Sequence, residues 1–406
     1  MSNSINKKKL LAGFLVINIL TGICAGITSM TLPLFALSVK ASTAEIGVIR
    51  GISGIGALIM VLPSGFLVDY FGSKRLYAFG SIVSAVTIFF LAFSWRPELI
   101  MASMAFQGFS NSLRFTSLNA AFFRYLKQIG ISKAGWYRGS MSIGLTFAGP
   151  LIGGYLLTYL SYKNIFIVVS ALTLLPLIAL IPLIMGDPAG FNSKSKDLKQ
   201  ENFSVISQLS ELKNILKDKV LRQTILAEGL STACFSSFST FIVVYVVNKL
   251  SVKPYYSSWF LILEGTAYVV VVFLSGGLLC KYKIKSLYLI SFSIMIGGLL
   301  LIATSQNIEI IIFGTTVLGA GTGILNLVTY SNLSGIKGKK GKVSSLLSAS
   351  TGIGSTLGPM FGGIIGEFLG YSAIFAAYVP LFIIMGIYIQ IDSRRNIEFV
   401  LNEETA

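Results

Sequence analysis

Gly65-Phe66-Leu67-Val68-Asp69-Tyr70-Phe71-Gly72-Ser73-Lys74-Arg75 is the stretch on which the reading of this chain turns. A long apolar run ends in it and another begins at Leu76. Between them lies a short turn with one acid and two bases. An acid at the end of an apolar helix is expensive unless it is paired. Lys74 and Arg75 follow closely enough to pair with Asp69 or with the next helix end. Gly65 would let another helix approach closely, and Gly72 would permit a tight turn.

The chain around this stretch has 406 residues, of which 54% are hydrophobic and 12% charged, with a mean hydropathy of +0.78. Soluble domains carry about 25% charged residues, so the composition identifies a polytopic membrane protein. Cys24, Cys234 and Cys280 are widely spaced in or beside apolar runs, which indicates neither a disulfide framework nor a metal site. There is no histidine. A proton carrier would therefore be a carboxylate, with tyrosine or lysine as weaker candidates.

Apolar spans are expected near 10–37, 44–68, 76–95, 99–122, 139–160 and 164–186, then near 221–247, 256–280, 286–305, 308–332, 344–366 and 372–391. The first is too long for a signal-peptide core and is read as an uncleaved span. Each suits a hydrocarbon core roughly 30 Å thick. With the N-terminus placed in the cytoplasm, 25 of the 32 Lys and Arg fall in cytoplasmic segments and 5 in outer loops. That bias predicts a cell-membrane protein with both termini cytoplasmic. It also accounts for the net charge of +16 without a nucleic-acid partner. The long polar segment 187–220 begins as a flexible linker. It then places Ile206, Leu209, Leu212, Ile215 and Leu216 at helical spacing, which predicts an amphipathic helix on the inner membrane surface or a solvated linker helix.

The two sides of that linker repeat. Gly149-Pro150-Leu151-Ile152-Gly153-Gly154 matches Gly358-Pro359-Met360-Phe361-Gly362-Gly363, and Tyr162, Ile165 and Phe166 match Tyr371, Ile374 and Phe375 at the same separation. Lys74, Leu76 and Tyr77 match Lys285, Leu287 and Tyr288, with Cys280 standing where the first copy has Asp69. Parallel repeats of six spans related by an axis along the membrane normal fit this pattern. The expected domains are an N-terminal six-helix bundle (1–186), the linker (187–220) and a C-terminal six-helix bundle (221–406).

The order Gly-x-Leu-x-Asp-x-x-Gly-x-Lys-Arg resembles the loop between helices 2 and 3 of the major facilitator superfamily of transporters. With the twelve spans, the repeat and the central linker, the resemblance covers nearly the whole chain. It implies an all-α membrane protein of twelve transmembrane helices in two pseudo-symmetric bundles, working by alternating access without a cofactor. The Gly149–Gly154 motif resembles one associated with exporters that exchange substrate for protons. It implies packing of spans 5 and 8, with Pro150 bending the helix, and packing alone would explain it equally. One departure bears on coupling: the family's helix-4 arginine, three residues before Gln107-Gly108, is Met104 here.

The resemblance also implies that spans 1, 4, 7 and 10 line a cavity, and polar stripes on those spans agree. Span 4 carries Gln107, Asn111 and Arg114 on one helical face, span 7 carries Glu228 among serines and threonines, span 10 carries Asn326, and span 1 carries Asn18. A charge within a span marks a functional position by default, and Arg50, Arg114, Glu228 and Glu264 lie well inside. Arg114 and Glu228 are expected either to face one cavity, attracting an anionic group and a proton or cationic group, or to form a structural ion pair. Arg50 and Glu264 are expected at an outer gate or as a structural pair, with proton transfer at Glu264 the lesser alternative. Asp69, Lys74 and Arg75, with Gly65 and Gly72, are expected to act in gating.

No nucleotide-binding Gly-x-x-x-x-Gly-Lys-[Ser/Thr] is present. The expected function is proton-coupled efflux of a small anionic or zwitterionic metabolite or drug by a monomer. The alternatives are a proton-coupled nutrient importer and a non-transporting sensor. A membrane enzyme would need a nucleophile–base or metal cluster at membrane depth, for which the sequence offers little.

Overall fold

The computed structural model describes residues 7–129, 133–185, 218–274, 282–335 and 340–404. The amphipathic helix expected within 187–220 and Cys280 lie outside them. The described residues form α1 (Lys7–Ser38), α2 (Thr43–Phe71), α3 (Ser73–Leu91), α4 (Pro97–Ile129), α5 (Ala134–Ser142), a π-helical turn (Ile143–Ala148), α6 (Gly149–Tyr159) and α7 (Tyr162–Met185). There follow α8 (Lys219–Asn248), α9 (Pro254–Leu274), α10 (Ile284–Thr304), α11 (Ile308–Gly335), α12 (Lys340–Leu369), α13 (Tyr371–Ala376) and α14 (Tyr378–Glu404). The π turn joins α5 to α6, and α13 adjoins α14, so twelve rods result, matching the twelve expected spans. The fold is all-helical and the protein is a multi-pass membrane protein. Phe273 and Phe368 are 82% and 81% exposed, as apolar side chains facing lipid are.

The ends of α2 show how the sequence sets its elements. Ser42 Oγ accepts from the Glu45 amide at 3.2 Å while Glu45 Oε2 accepts from the Ser42 amide at 2.7 Å, a reciprocal capping box that satisfies orphan donors. At the other end Gly72 takes φ 85° and its amide donates to Val68 O. That left-handed backbone disfavours any residue with a Cβ. Gly65 departs from expectation: among the described residues a Cβ built there meets nothing within 4 Å, so none of the described helices approaches it. Gly65→Ala should therefore leave the melting temperature in detergent unchanged. Gly72→Ala should destabilise by about 1 kcal/mol. Equal melting of the two variants would contradict this account of the turn.

By contacts the chain divides into two compact units, Met1–Glu201 with Ser239–Ile262, and Asn202–Phe238 with Leu263–Ala406. The division falls inside α8 and α9. In the first unit α4 packs on α2 and α3, and α1 packs on α6 and α7. Small residues set the closest crossings: Gly108 lies on the Ser53 carbonyl, Gly56 on Ala105, and Gly26 on Gly149. One end of α1 is held by an aromatic cluster in which Phe122 and Tyr137 stack at 3.8 Å and Phe14 meets both edge-on. In the second unit Gly319 lies on the Glu264 carbonyl, Gly354 on the Gly229 carbonyl and Gly358 on the Ala233 carbonyl.

The Gly-Pro motif is divided between two neighbours. Gly149 and Gly153 meet α1 at Gly26 and Ile27, whereas a Cβ on Gly154 would sit 2.7 Å from Ser258 Oγ of α9. The π turn has a structural cause. Gly22 and Gly26, four apart on α1, meet Gly144 and Gly149, five apart. In the second unit Gly229 and Ala233 meet Gly354 and Gly358, four apart on both sides, and α12 runs through as unbroken α-helix. The first copy thus carries one extra residue, absorbed by the widened turn in which the Gly149 amide reaches Gly144 O. Pro150 alone does not cause it, since Pro359 sits inside α12 without one.

Candidate functional site

The first unit encloses a cavity of about 90 Å³. It is built from one face of α1 (Thr21, Cys24, Thr28), from Arg50 and Ser53 on α2, from Gln107, Asn111 and Arg114 on α4, and from Thr173 on α7. The seating of Gly108 on Ser53 brings α2 and α4 to backbone contact at this level and so sets Arg50 and Ser53 beside the α4 stripe.

Arg114 is 3% exposed. Its Nη1 donates to Ser84 Oγ at 3.3 Å, and its guanidinium carbon lies 6.0 Å from the centre of the Tyr77 ring. Its Nε and Nη2 are buried without a hydrogen-bond partner, as is Thr21 Oγ1. Gln107 Nε2 donates to the same Ser84 hydroxyl at 2.9 Å, so that hydroxyl receives both α4 side chains. Arg50 Nη2 donates to Ser29 Oγ at 3.0 Å. Within the described part of this unit no carboxylate pairs with either guanidinium. A buried cation lacking a counter-ion carries a desolvation penalty of several kcal/mol, and unpartnered buried donors call for a ligand or water. Arg50 and Arg114 line the same cavity.

In the second unit Glu228 Oε2 accepts from Thr329 Oγ1 at 2.9 Å, and Asn326 also reaches this carboxylate. Glu264 is 3% exposed, with Oε1 at 3.4 Å from Thr322 Oγ1. Thr322 already donates to Gly319 O at 2.8 Å. Nearby, Tyr288, Thr224 and Asn332 bond to one another at 3.0–3.1 Å.

The structure thus brings Arg114, Gln107 and Asn111 to one cavity, and adds Arg50, which the sequence reading set at an outer gate or in a structural pair. The pair of glycines Gly56 and Gly108 on neighbouring spans was the signal for that placement. Asn18 departs from the expected cavity role: its amide donates to Tyr137 O at 2.8 Å and ties α1 to α5. Of the turn residues, Lys74 is half-buried and Arg75 exposed, and the Asp69 side chain lies outside the described atoms.

Twelve apolar rods, paired repeats and a polar cavity among the helices of the first unit define a solute carrier of the bilayer rather than an enzyme. The chain belongs to the Major Facilitator Superfamily, whose family model matches residues 14–303 and 250–405. It is similar to the probable nitrate transporter NarT of Staphylococcus epidermidis, 23% identical over 358 residues that cover 86% of this chain and 85% of that one. NarT of Staphylococcus aureus is 21% identical over 357 residues, covering 86% and 87%. Among solved structures, the nucleoside transporter NupG superposes with a TM-score of 0.78 at 17% identity, covering 94% of this chain and 98% of that one. A bacterial homologue of the lysosomal transporter Spinster superposes with a TM-score of 0.75 at 13% identity, covering 95% and 96%.

Proposed function

We propose that the chain takes up a small inorganic oxyanion of the nitrate kind, by alternating access, through the cavity walled by Arg50 and Arg114. The observation that carries this reading is a cationic cavity with no acid among the described residues of its wall. Arg114 and Arg50 both line it, and a planar guanidinium suits two oxygens of one ligand. Size agrees. A cavity of about 90 Å³ is small beside sites for drug-sized ligands, which run to ~300–1,000 Å³. NarT relatives named for nitrate point the same way.

Glu228 and Glu264 are the groups able to carry a coupling proton, since the chain has no histidine. Asp69, Lys74 and Arg75 serve as a gate at the cytoplasmic side, where both termini lie, and the protein works as a monomer. The resemblance of the Gly149–Gly154 stretch to exporters favours a second reading, expulsion of the anion in exchange for protons.

Proteoliposomes loaded with nitrate should take up labelled nitrate by counterflow, and nitrite should compete better than a nucleoside or a cationic dye. Counterflow of a dye or nucleoside but not of nitrate would overturn the anion reading. Flux into right-side-out and inside-out vesicles under one fixed pH gradient separates uptake from export.

A further inference from the structure

Buried polar atoms without a partner gather along one seam of the first unit. Eight such atoms occur among the described residues, and five of them are Ser73 Oγ, Tyr77 OH, Ser81 Oγ and the Nε and Nη2 of Arg114. Ser73, Tyr77, Ser81 and Ser84 recur about one turn apart on one face of α3. α3 packs on α4, where a Cβ on Gly80 would sit 3.0 Å from Arg114 Cγ and Arg114 Nη1 donates to Ser84 Oγ. Ser73, Tyr77, Ser81 and Arg114 are each at most 3% exposed, so bulk solvent does not satisfy them. A buried serine in a helix can fall back on a carbonyl of its own preceding turn, as Ser110 and Ser117 do on α4. Ser81 forgoes even that bond.

The second repeat shows what would complete the seam. Tyr288 matches Tyr77, and its hydroxyl donates to Thr224 Oγ1 at 3.1 Å and accepts from Asn332 Nδ2 at 3.0 Å. Tyr77 and Tyr288 lie 211 residues apart, as do Gly108 and Gly319, which puts Ala121 where the second repeat has Asn332. The matched helix contacts of Gly22 and Gly229 put Ile17 where it has Thr224. Tyr77, Ile17 and Ala121 belong to one buried cluster, and neither of the two aliphatic side chains can bond a hydroxyl. An amide replaced by a methyl group frees space on the order of the ~30 Å³ that one water takes in the liquid. A water there both accepts and donates, and so gives Tyr77 the two bonds that Thr224 and Asn332 give Tyr288.

We infer that internal water occupies the α3–α4 seam at Tyr77, in the space left by Ala121, and continues past Ser81 to the Nε and Nη2 of Arg114. Hydroxyls four residues apart on α3 are separated by about 6 Å along its axis, a step that one water bonded at ~2.8 Å to either side spans. Buried polar atoms that lack protein partners are satisfied in this way by ordered water. The role of the water rests on the anion reading of the first unit. With an anion in the cavity, Arg114 has a counter-charge. With the cavity empty, water in the seam is what solvates the guanidinium and offsets its desolvation. It therefore favours the return of the unloaded carrier, a step that exchange of anion for anion does not use.

X-ray radiolysis of the purified full chain tests the site, because it turns bound water into hydroxyl radicals that oxidise the nearest aromatic ring. Tyr77 should be labelled although it is 2% exposed, while Phe14 and Phe122 of the same cluster, both 0% exposed, stay unlabelled. Silence at Tyr77 would overturn the inference. Labelling that added nitrate abolishes would also overturn it, by making the occupant an anion. Ala121→Asn should abolish the labelling and keep the melting temperature, since it supplies the amide that Asn332 supplies in the second repeat; steep destabilisation would show a dry, filled seam and overturn the inference. Tyr77→Phe keeps the ring beside the guanidinium and removes only the hydroxyl. It should melt lower, whereas removing a hydroxyl from a dry site would leave stability equal or higher. In proteoliposomes Tyr77→Phe should slow net nitrate uptake and spare nitrate counterflow, and unslowed net uptake would overturn the hydration role. Absence of counterflow in the unsubstituted protein would instead overturn the anion reading, and the labelling of Tyr77 would still decide whether the water is there.

Discussion

Arg114→Gln is expected to lower nitrate counterflow on the order of 100-fold while leaving the protein at least as stable in detergent. The loss follows from removing a desolvated charge partner of the ligand, worth ~2–5 kcal/mol in comparable buried pairs. The retained stability follows from the same geometry read without ligand. Arg114 is 3% exposed, and two of its guanidinium nitrogens have no partner. Removing a buried, uncompensated charge relieves a penalty rather than creating one. Arg114→Lys should recover little transport, because an ammonium lacks the planar fork. Binding by nitrate-induced thermal shift, measured beside flux, distinguishes the readings. A variant that melts early but still transports would make Arg114 a structural residue. A stable variant that has lost the shift would place it on the ligand.

The second large effect is expected at Gly108. A Cβ there would overlap the Ser53 carbonyl and come within 2.9 Å of Ser53 Cα. Backbone cannot rotate away as a side-chain tip does, so Gly108→Ala must part α2 from α4. Overpacking of this kind costs about 1–3 kcal/mol even where neighbours yield, and the separation also moves Arg50 and Ser53 from Asn111 and Arg114. The expected result is a melting temperature lowered by several degrees, with counterflow lost even at temperatures where the variant is folded. Gly65→Ala is the matched control on α2. Unimpaired flux in Gly108→Ala would show that the α2–α4 crossing does not set the cavity.

Much of this molecule is decided by period and composition alone. Runs of about twenty apolar residues must satisfy their backbone within themselves in lipid, which leaves the helix as their form. The interruptions at Gly72, at Arg96-Pro97 and within 187–220 then separate the rods. The repeated Gly-Pro-x-x-Gly-Gly made the doubling visible, because a motif that fits close helix approach recurs wherever that approach does. The polar stripe on span 4 was legible for a similar reason: Gln107, Asn111 and Arg114 at helical spacing in an apolar run need an interior to face. Conversely Gly65 read as a packing residue, although its Cβ would meet nothing among the described residues. A glycine's use depends on what lies opposite, and spacing does not record that.

What only the tertiary structure decided is which polar groups meet. Asn18 and Asn111 look alike in sequence, yet Asn18 is bound to the Tyr137 carbonyl while Asn111 lies on the cavity wall. Arg50 joins Arg114 at the cavity because Gly108 lets α2 seat on α4, a contact between residues far apart along the chain. Spans, halves and intramembrane charges follow from local periodicity and the cost of apolar surface in water, and these a single sequence carries. The partners of each charge follow from close packing between distant segments, which is settled only when the helices are brought together.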